Sequence, residues 1–204
     1  MKPRFYSLWL VMICIIVFIF QLVFSGFTDL FVLNQNSYTQ IWRFVTSIFL
    51  HADIVHILYN MFALALFGSI LEGLIGGKRF LIVFFITGIL ANIIAVNFYP
   101  SSLGASGAIF GVIGALIVVR PSLTVWAFGL PMPIFVAGVL WAAGDFIGIF
   151  VPSNVGNIAH LAGMFSGLIF GLFYRDWSYK REKRNEVINI DESYVRSWED
   201  NYLR

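Results

Sequence analysis

An apolar run from residue 5 to residue 24 carries no charged side chain, and it limits most strongly what this chain can fold into. Its length is close to the ~20 residues that an α-helix needs to cross the hydrocarbon core of a bilayer. The run is too long for the core of a signal peptide, and no small-x-small cleavage pattern follows it. We therefore predict a retained first membrane span behind a short basic leader, residues 1–4.

Five further apolar stretches follow the first. The predicted spans are residues 56–75, 80–98, 103–119, 125–150 and 157–174. With 59% hydrophobic residues, 12% charged residues and a mean hydropathy of +0.85, the chain has about half the charge of an ordinary soluble domain. The sequence therefore predicts an all-α, polytopic membrane protein with six transmembrane helices. Residues 25–50 are mixed in polarity and rich in aromatics, and are predicted to form a long loop at the membrane interface.

Lysine and arginine are distributed unequally between the two ends of these spans. One side would carry nearly all of them: Lys2, Arg4, Lys78, Arg79, Arg120, Arg175, Lys180, Arg181, Lys183, Arg184, Arg196 and Arg204. Arg43 alone falls on the other side. Because cytoplasmic loops carry the excess of basic residues, we predict a multi-pass protein of the cell membrane with both termini in the cytoplasm. The tail from residue 175 is expected to be either a surface helix or disordered.

A serine stands between small residues at the start of the fourth predicted span, in the sequence GASGAIFGVIG of residues 104–114. Glycine lets a loop turn sharply and leaves backbone N–H groups accessible, so Ser106 could present its hydroxyl beside backbone donors. Such an arrangement suits a nucleophile that attacks a carbonyl. The pattern also fits plain helix packing, because small residues four apart, such as Gly107 and Gly111, are common where membrane helices meet.

Three polar side chains are predicted to share one depth in the membrane. At ~1.5 Å per residue, Ser106 lies ~21 Å and His160 ~23 Å above the cytoplasmic ends of their spans. By the same rise, His56 lies ~24 Å above the cytoplasmic end of the second span. All three spans descend from the outer face in the predicted topology, so these side chains would form one layer below that face. Ionisable residues inside a membrane are costly, and they indicate function by default.

His160 shares one helical stripe with four glycines, Gly156, Gly163, Gly167 and Gly171. This stripe would let its helix approach a neighbour almost backbone to backbone, and the glycine-rich span of Ser106 is the neighbour we favour. The imidazole would then act as the base that takes the serine proton. A lone membrane histidine is also commonly a hydrogen-bonding group between helices.

His56 and Asn60 lie at positions i and i+4 of the second predicted span, so they share one helix face. Both side chains can offer N–H donors to an oxyanion that develops beside the serine. Asn60 could equally serve to join helices.

The two acidic residues of the predicted spans, Asp145 and Glu72, are assigned no catalytic role. Asp145 is expected to be an interfacial or loop-facing carboxylate that does not orient His160, so no third member of a catalytic triad is predicted. Glu72, near the cytoplasmic end of the second span, is expected to have a structural role.

Cys14 is the single cysteine, which excludes a disulfide framework and a thiolate metal site. No cofactor, metal or nucleic-acid partner is predicted.

Four motifs together resemble the rhomboid intramembrane serine proteases. They are WR at residues 42–43, HADIVHILYN at 51–60, GASG at 104–107 and AHLAG at 159–163. The resemblance runs from about Trp42 to Gly171. It implies a rhomboid-like bundle of six transmembrane helices, with a first part of residues 1–24, a catalytic membrane domain of residues 25–175 and a cytoplasmic tail of residues 176–204.

The resemblance also implies roles for individual residues. Ser106 would be the nucleophile and His160 the general base of a serine–histidine dyad. The oxyanion would be held by His56, Asn60 and the backbone N–H of Ser106. Glu72 would match the family's structural glutamate at the foot of the second span.

Three aromatic residues take their interpretation from the same resemblance. Many relatives have a tyrosine four residues after the serine, where this chain has Phe110, whose ring can stack on the histidine but offers no hydroxyl. Tyr59 and Trp141 fall at positions similar to those of a lateral gate proposed for rhomboids between the second and fifth spans. Pro131 and Pro133 are expected to interrupt the fifth span, either loosening this gate or merely kinking a helix.

The leading interpretation is a serine endopeptidase that cleaves transmembrane protein substrates near the outer membrane face, from an active site that opens to that face. The alternatives are a small transporter or proton-linked channel and a non-catalytic membrane scaffold. A transporter would be expected to show repeat symmetry and polar groups near the midplane. The polar layer is displaced outward and no repeat is apparent, which favours the enzyme.

Overall fold

The computed structural model describes residues 5–151, 155–186 and 192–202, and most of these residues are helical. In chain order the helices are α1 (Tyr6–Val23), α2 (Phe27–Phe31), α3 (Arg43–Thr46), α4 (Ile54–Ala63), α5 (Ser69–Ile75), α6 (Gly77–Ala95), α7 (Ser106–Val119), α8 (Ile134–Gly148), α9 (Asn157–Glu186) and α10 (Glu192–Tyr202). Two short antiparallel ladders pair β1 (Leu33–Asn34) with β2 (Ser101–Ser102), and β3 (Thr124–Ala127) with β4 (Leu130–Pro133). Three predicted parts lie wholly or partly outside the described ranges: the leader, residues 1–4; the connection at 152–154; and the tail, at residues 187–191 and 203–204.

Each predicted span contains an apolar helix. Four of the described helices are long and apolar enough to cross a membrane: Tyr6–Val23, Ile54–Ile75, Gly77–Ala95 and Asn157–Ser178. α7 and α8 are apolar but shorter, with 14 and 15 residues. At ~1.5 Å per residue these two helices are ~21 and ~23 Å long, less than the ~30 Å hydrocarbon core.

α1 begins against the far end of the second long helix. The first N–H groups of a helix have no intrahelical partner, and Phe5 at the cap position provides no side-chain acceptor. Glu72 accepts these hydrogen bonds instead, from the N–H of Tyr6 at 3.0 Å and from the N–H of Ser7 at 2.9 Å. The carboxylate is buried and lies at the positive end of the α1 dipole, where negative charge is favoured. Glu72 therefore ties α1 to the bundle.

We expect Glu72→Ala to lower the free energy of unfolding by about 2–4 kcal/mol, because two hydrogen bonds to a charged acceptor are lost and two N–H groups are left unpaired. Glu72→Gln keeps one acceptor oxygen and should lose about half as much. Reversible unfolding in mixed micelles with increasing dodecyl sulfate measures the difference. An alanine variant as stable as the parent would contradict the anchoring role.

The first loop folds around one buried arginine. Arg43 is 6% exposed, and its Nη1 donates to the carbonyls of Asp29 and Val32 at 2.8 Å each. Its Nε donates to Gln40 Oε1 at 2.6 Å. The one basic residue that the sequence places on the outer side is thus used inside the loop, where it holds the turns together.

This loop is fastened to the stretch that leads into α7. β1 pairs with β2, three residues before Ala105. The N–H of Gly104 donates to the carbonyl of Ser47 at 2.9 Å. Asn92 of α6 donates from Nδ2 to Ser47 Oγ at 3.0 Å. The segment that leads to Ser106 is therefore fixed by the first loop, which is in turn bonded to α6.

α4 and α5 form one continuous helix with a π turn, Leu64–Gly68, between them. Such turns are rare and often occur at functional sites. Asp53 caps the start of the helix, since its carboxylate accepts the N–H of His56 at 2.8 Å. The result is a helix of membrane length with His56 and Asn60 near its first end and Glu72 near its last.

α7 and α9 pack backbone to backbone, and they form the most extensive helix pair in the described part of the chain. A Cβ atom on Gly163 would overlap the carbonyl oxygen of Gly107, and one on Gly167 would overlap that of Gly111. Glycine is required at both α9 positions because no other residue lets the backbones come this close. The predicted contact between the glycine stripe and the serine span is confirmed.

The first part of the fifth predicted span, residues 125–150, is not helical. β3 and β4 form a hairpin there, with Phe128 (φ 54°) and Gly129 (φ 79°) at the turn. Positive φ at both central residues is typical of the turn that joins two tightly paired strands. α8 begins after Pro133, which is its N-cap. The prediction that Pro131 and Pro133 interrupt the helix is therefore wrong, because both precede it.

The tail is helical where it is described. α9 runs beyond the predicted end at residue 174, and Arg79 of α6 stacks its guanidinium 3.6 Å from the ring centroid of Trp177. Every described side chain of α10 is exposed. For residues 192–202 the structure therefore agrees with the surface-helix alternative.

Candidate active site

Ser106 is the first residue of α7, and its hydroxyl meets His160 of α9. The distance from Ser106 Oγ to His160 Nε2 is 2.8 Å, a hydrogen bond. This contact follows from the close packing of the two helices, since His160 lies one turn before Gly163. The structure thus brings together the serine and the histidine that the sequence places at one depth.

Two other side chains contact the His160 ring. Phe110, one turn after Ser106, stacks on it with ring centroids 4.3 Å apart and planes inclined by 4°. Asp145 of α8 places its Oδ1 3.0 Å from His160 Nδ1. The imidazole is therefore bonded at both nitrogens and covered on one face.

The position of Asp145 contradicts the prediction of an interfacial or loop-facing carboxylate. The residue is 8% exposed and turned into the bundle. It lies three residues before the end of α8, and His160 lies three residues after the start of α9. Consecutive helices meet at their connection, and an acid in an apolar span needs a partner. From these two facts the contact between Asp145 and His160 could have been predicted from the sequence.

His56 lies beside Gly104, two residues before Ser106. A Cβ atom on Gly104 would lie 2.8 Å from His56 Cε1 and 2.9 Å from Nε2, and Gly104 has φ +126°, so glycine is required there for two reasons. The N–H of Ala52 donates to His56 Nδ1 at 3.3 Å. A neutral imidazole with an accepting Nδ1 carries its proton on Nε2. His56 therefore presents an N–H donor next to the backbone that precedes Ser106.

Asn60 lies one turn after His56 and is buried. Its Nδ2 donates to the carbonyl of His56 at 2.9 Å, within the same helix. An amide nitrogen carries two hydrogens, so a second N–H remains. In the described part of the chain Asn60 makes no hydrogen bond to another helix, and its buried Oδ1 has no partner. The alternative role of joining helices gains no support from these contacts.

The start of α7 has no side-chain cap. Ala105 occupies the cap position, and alanine offers no acceptor there. The first N–H groups of a helix lack intrahelical partners and lie at the positive end of its dipole. The N–H groups of Ser106 and Gly107 are therefore donors without an intrahelical acceptor, beside the serine hydroxyl.

His51 supports the ring of His56, although sequence reasoning assigned it no role. The two ring centroids are 5.2 Å apart in an edge-to-face arrangement. Burial, and after it the nearby His56, lowers the pKa of His51 to about 4, so His51 is neutral at physiological pH. Gln21 of α1 donates to the His51 carbonyl at 3.1 Å and accepts its N–H at 2.9 Å. α1 thus helps to fix the histidine pair.

The two aromatics predicted at the gate differ in their surroundings. Trp141 of α8 packs edge-on against Phe67 of the π turn, with centroids 6.1 Å apart, and lies 6.3 Å from the ring of Phe128. Tyr59 is 74% exposed. The aromatic contact between the second long helix and α8 is therefore made by Phe67 and Trp141.

Two of the three histidines, His56 and His160, use ring nitrogens in hydrogen bonds. Both ring nitrogens of His160 are bonded, and Nδ1 of His56 accepts the Ala52 N–H. Among residues 5–151, 155–186 and 192–202, no group of three His, Cys, Asp or Glu side chains could hold a metal ion. The donor set suits proton transfer and hydrogen bonding.

The fold and this site define a helical membrane protein of several apolar helices that carries a serine–histidine pair at a helix start. The family model of the Rhomboid domain matches residues 38–177. The chain therefore belongs to the rhomboid family.

Three relatives illustrate the comparison. Rhomboid protease GlpG of Haemophilus influenzae is 27% identical over 175 residues, which cover 81% of this chain and 88% of that protein. Rhomboid protease GluP of Bacillus subtilis is 35% identical over 131 residues, which cover 62% of this chain and 24% of that protein. RHOMBOID-like protein 7 of Arabidopsis thaliana is 31% identical over 134 residues, which cover 65% of this chain and 42% of that protein. The chain spans less than half the length of the last two. The relatives named as rhomboid proteases support protease activity for this membrane protein.

Proposed function

We propose that the chain is an intramembrane serine endopeptidase that cleaves transmembrane protein substrates with the dyad of Ser106 and His160. The observation that carries this proposal is the 2.8 Å hydrogen bond from Ser106 Oγ to His160 Nε2. A hydroxyl nucleophile needs an adjacent base, and this pair provides both. Membership of a family with named proteases adds independent support.

The chemistry follows from the pair. As Ser106 Oγ forms a bond to the scissile carbonyl carbon, its proton passes to His160 Nε2. The C–N bond then breaks, and His160 gives that proton to the leaving amine. A water molecule next loses a proton to His160 and attacks the acyl ester. The ester bond breaks, and the proton returns to Ser106 Oγ.

Donors around the serine would hold the oxyanion of each tetrahedral intermediate. His56 offers its Nε2–H, Asn60 its second amide N–H, and Ser106 its own backbone N–H at the start of α7. These donors are set by the fold before the reaction begins, which makes them effective in a water-poor site.

We expect His56→Ala and Asn60→Ala each to lower kcat by about a hundredfold with little change in KM, since the donors act mainly on charge that develops in the transition state. Leu58→Ala is the matched control on the same helix, because Leu58 is 64% exposed and faces away from the bundle. Steady-state cleavage and thermal unfolding are measured together. Parent-like kcat in either variant removes that residue from the oxyanion site.

We also propose six membrane crossings with both termini in the cytoplasm and the site opening to the outer face. The six apolar helices and the one-sided distribution of basic residues support this arrangement. With α7 only ~21 Å long and its last residue at the inner interface, Ser106 would lie roughly 9 Å below the outer edge of the hydrocarbon core. Substrates would be cut near that face.

The test is an assay with the full chain purified in detergent and reconstituted in liposomes. The substrates are single-span peptides with a glycine or proline near the outer end and a fluorophore and quencher on either side of it. We expect cleavage, and we expect a fluorophosphonate to block cleavage and to label Ser106, as located by peptide mass spectrometry. Absence of both cleavage and label contradicts the proposal and favours a transporter or a scaffold.

A lateral gate between the second long helix and α8 is a further part of the proposal. α8 packs mainly against α9 and α7. Phe67 and Trp141 form its aromatic contact with the second long helix. In this proposal, separation of the two helices at this aromatic contact opens a path from the lipid to Ser106.

We expect the double variant Tyr59→Ala, Trp141→Ala to cleave a transmembrane substrate several times faster than the parent, with a smaller change for a short soluble peptide. Trp141 should account for most of the gain, since Tyr59 is already 74% exposed. A reducible cross-linker between cysteines introduced by F67C and W141C should block transmembrane cleavage until it is reduced. Unchanged cleavage in the cross-linked protein would show that substrate does not enter here.

A further inference from the structure

We infer that Asp145 is a positioning residue that makes the serine–histidine pair a three-residue system. This inference rests on the proposed serine chemistry, and it assigns to the buried carboxylate of α8 a role in that chemistry. Asp145 Oδ1 lies 3.0 Å from His160 Nδ1, on the side of the ring opposite Ser106. The order carboxylate, imidazole, hydroxyl is the one that serine hydrolases of unrelated folds use.

The contact determines which nitrogen of His160 carries the proton. An ionised carboxylate accepts hydrogen bonds and cannot donate them, so His160 Nδ1 must hold the hydrogen of this bond. Nε2 is then unprotonated and accepts from the Ser106 hydroxyl. Without Asp145 the ring is free to adopt the other tautomer, in which Nε2 is protonated and cannot act as a base.

The carboxylate also stabilises the charge that forms during the reaction. When Nε2 takes the serine proton, the ring becomes an imidazolium next to Asp145. Both side chains are largely shielded from solvent, with 12% of the His160 and 10% of the Asp145 side chain exposed, so their attraction is weakly screened. Asp145 therefore lowers the free energy of the intermediate with a charged imidazolium, relative to the ground state with a neutral imidazole.

His160 is the one hydrogen-bond partner of the Asp145 carboxylate among the described residues. The second oxygen, Oδ2, is buried and has no hydrogen-bond partner there. A carboxylate that served only to hold α8 against α9 would be better satisfied by partners on both oxygens. The unshared charge is instead directed at a single imidazole nitrogen.

Asp145→Asn separates positioning from simple packing. The amide has nearly the same shape and can still accept the Nδ1–H bond through its oxygen, but it carries no charge and can equally present a donor. If the bond is only a structural tie, the variant should resemble the parent. If Asp145 orients and stabilises His160, kcat should fall by about a hundredfold with KM little changed, and the rate of fluorophosphonate labelling should fall with it.

Asp176→Asn makes the same chemical change at an exposed position of α9, and it is the matched control. A fall in kcat and labelling rate of about fivefold or more in Asp145→Asn, with the control unchanged, supports the inference; a smaller fall overturns it. An active parent with a parent-like Asp145→Asn variant and an inactive Ser106→Ala variant overturns the inference alone. A parent that neither cleaves nor is labelled overturns both the inference and the proposed function.

A second measurement depends neither on activity nor on the folding of Asp145→Asn. Nitrogen-15 spectra of the parent labelled at histidine report the tautomer of each ring, and His160→Ala identifies the signal that belongs to His160. We expect the His160 signal to show protonated Nδ1 and unprotonated Nε2. A ring protonated at Nε2 would overturn the inference.

Discussion

Replacing Ser106 by alanine is expected to abolish proteolysis and fluorophosphonate labelling while the protein stays folded. His160→Ala should have the same effect, with each loss in kcat on the order of a millionfold, because nucleophile and base act as a unit. The double variant should be no worse than either single variant. Ser106→Ala removes one hydrogen bond, so the free energy of unfolding should fall by only about 1 kcal/mol. His160→Ala removes two and leaves the Asp145 carboxylate buried without a partner, so its loss should be larger, about 3 kcal/mol or more.

The measurement pairs single-turnover cleavage in liposomes with an unfolding curve for every variant. Near-normal turnover in either single variant would exclude the dyad. An additive loss in the double variant would show that the two residues act in separate steps. If a variant lost both its activity and its fold, the residue would be needed for helix packing, and its catalytic role would lose this support.

The second large effect is expected at the contact between α7 and α9. Gly163→Ala places a methyl group against the carbonyl oxygen of Gly107, and both partners are backbone, so neither can turn away. Forced overpacking of a core costs about 1–3 kcal/mol when side chains can adjust, and we expect about 3 kcal/mol or more here. Separation of the helices would also move His160 away from Ser106, so labelling should fall as well.

Gly73→Ala is the control for this substitution. A Cβ atom on Gly73 meets nothing within 4 Å, and alanine favours the helix over glycine by up to about 1 kcal/mol. We expect this variant to be at least as stable as the parent. Equal stability of Gly163→Ala and Gly73→Ala would show that the backbone contact is not needed.

Periodicity and depth were sufficient to predict the central helices of the fold. The glycine stripe of α9 and the small residues of α7 predicted their contact, because only small residues allow two backbones to meet. The distance along each helix predicted that Ser106 and His160 would lie at one depth. Both arguments depend on regular helix geometry, which the membrane enforces by requiring every backbone group to be satisfied within the segment.

Two features, the β3–β4 hairpin and the bond from Asp145 to His160, could not be predicted by these arguments, for different reasons. The hairpin of β3 and β4 is almost as apolar as a span, so hydropathy alone assigned it to the fifth helix. The two prolines at alternate positions, Pro131 and Pro133, were the better guide, since neither fits a helix interior. The bond from Asp145 to His160 joins two helices across a connection, and stripe arguments made along one helix do not reach a residue on the next.

The π turn at Leu64–Gly68 divides the second long helix into two halves whose faces point in different directions around the helix axis. Bonding from i to i+5 accommodates an extra residue in the turn, and one residue rotates everything beyond it by about 100°. The half with His56 and Asn60 can therefore face the serine while the half with Glu72 faces the start of α1. A deletion within this turn would leave both halves helical and both sets of residues intact, yet it would turn one set away from its target.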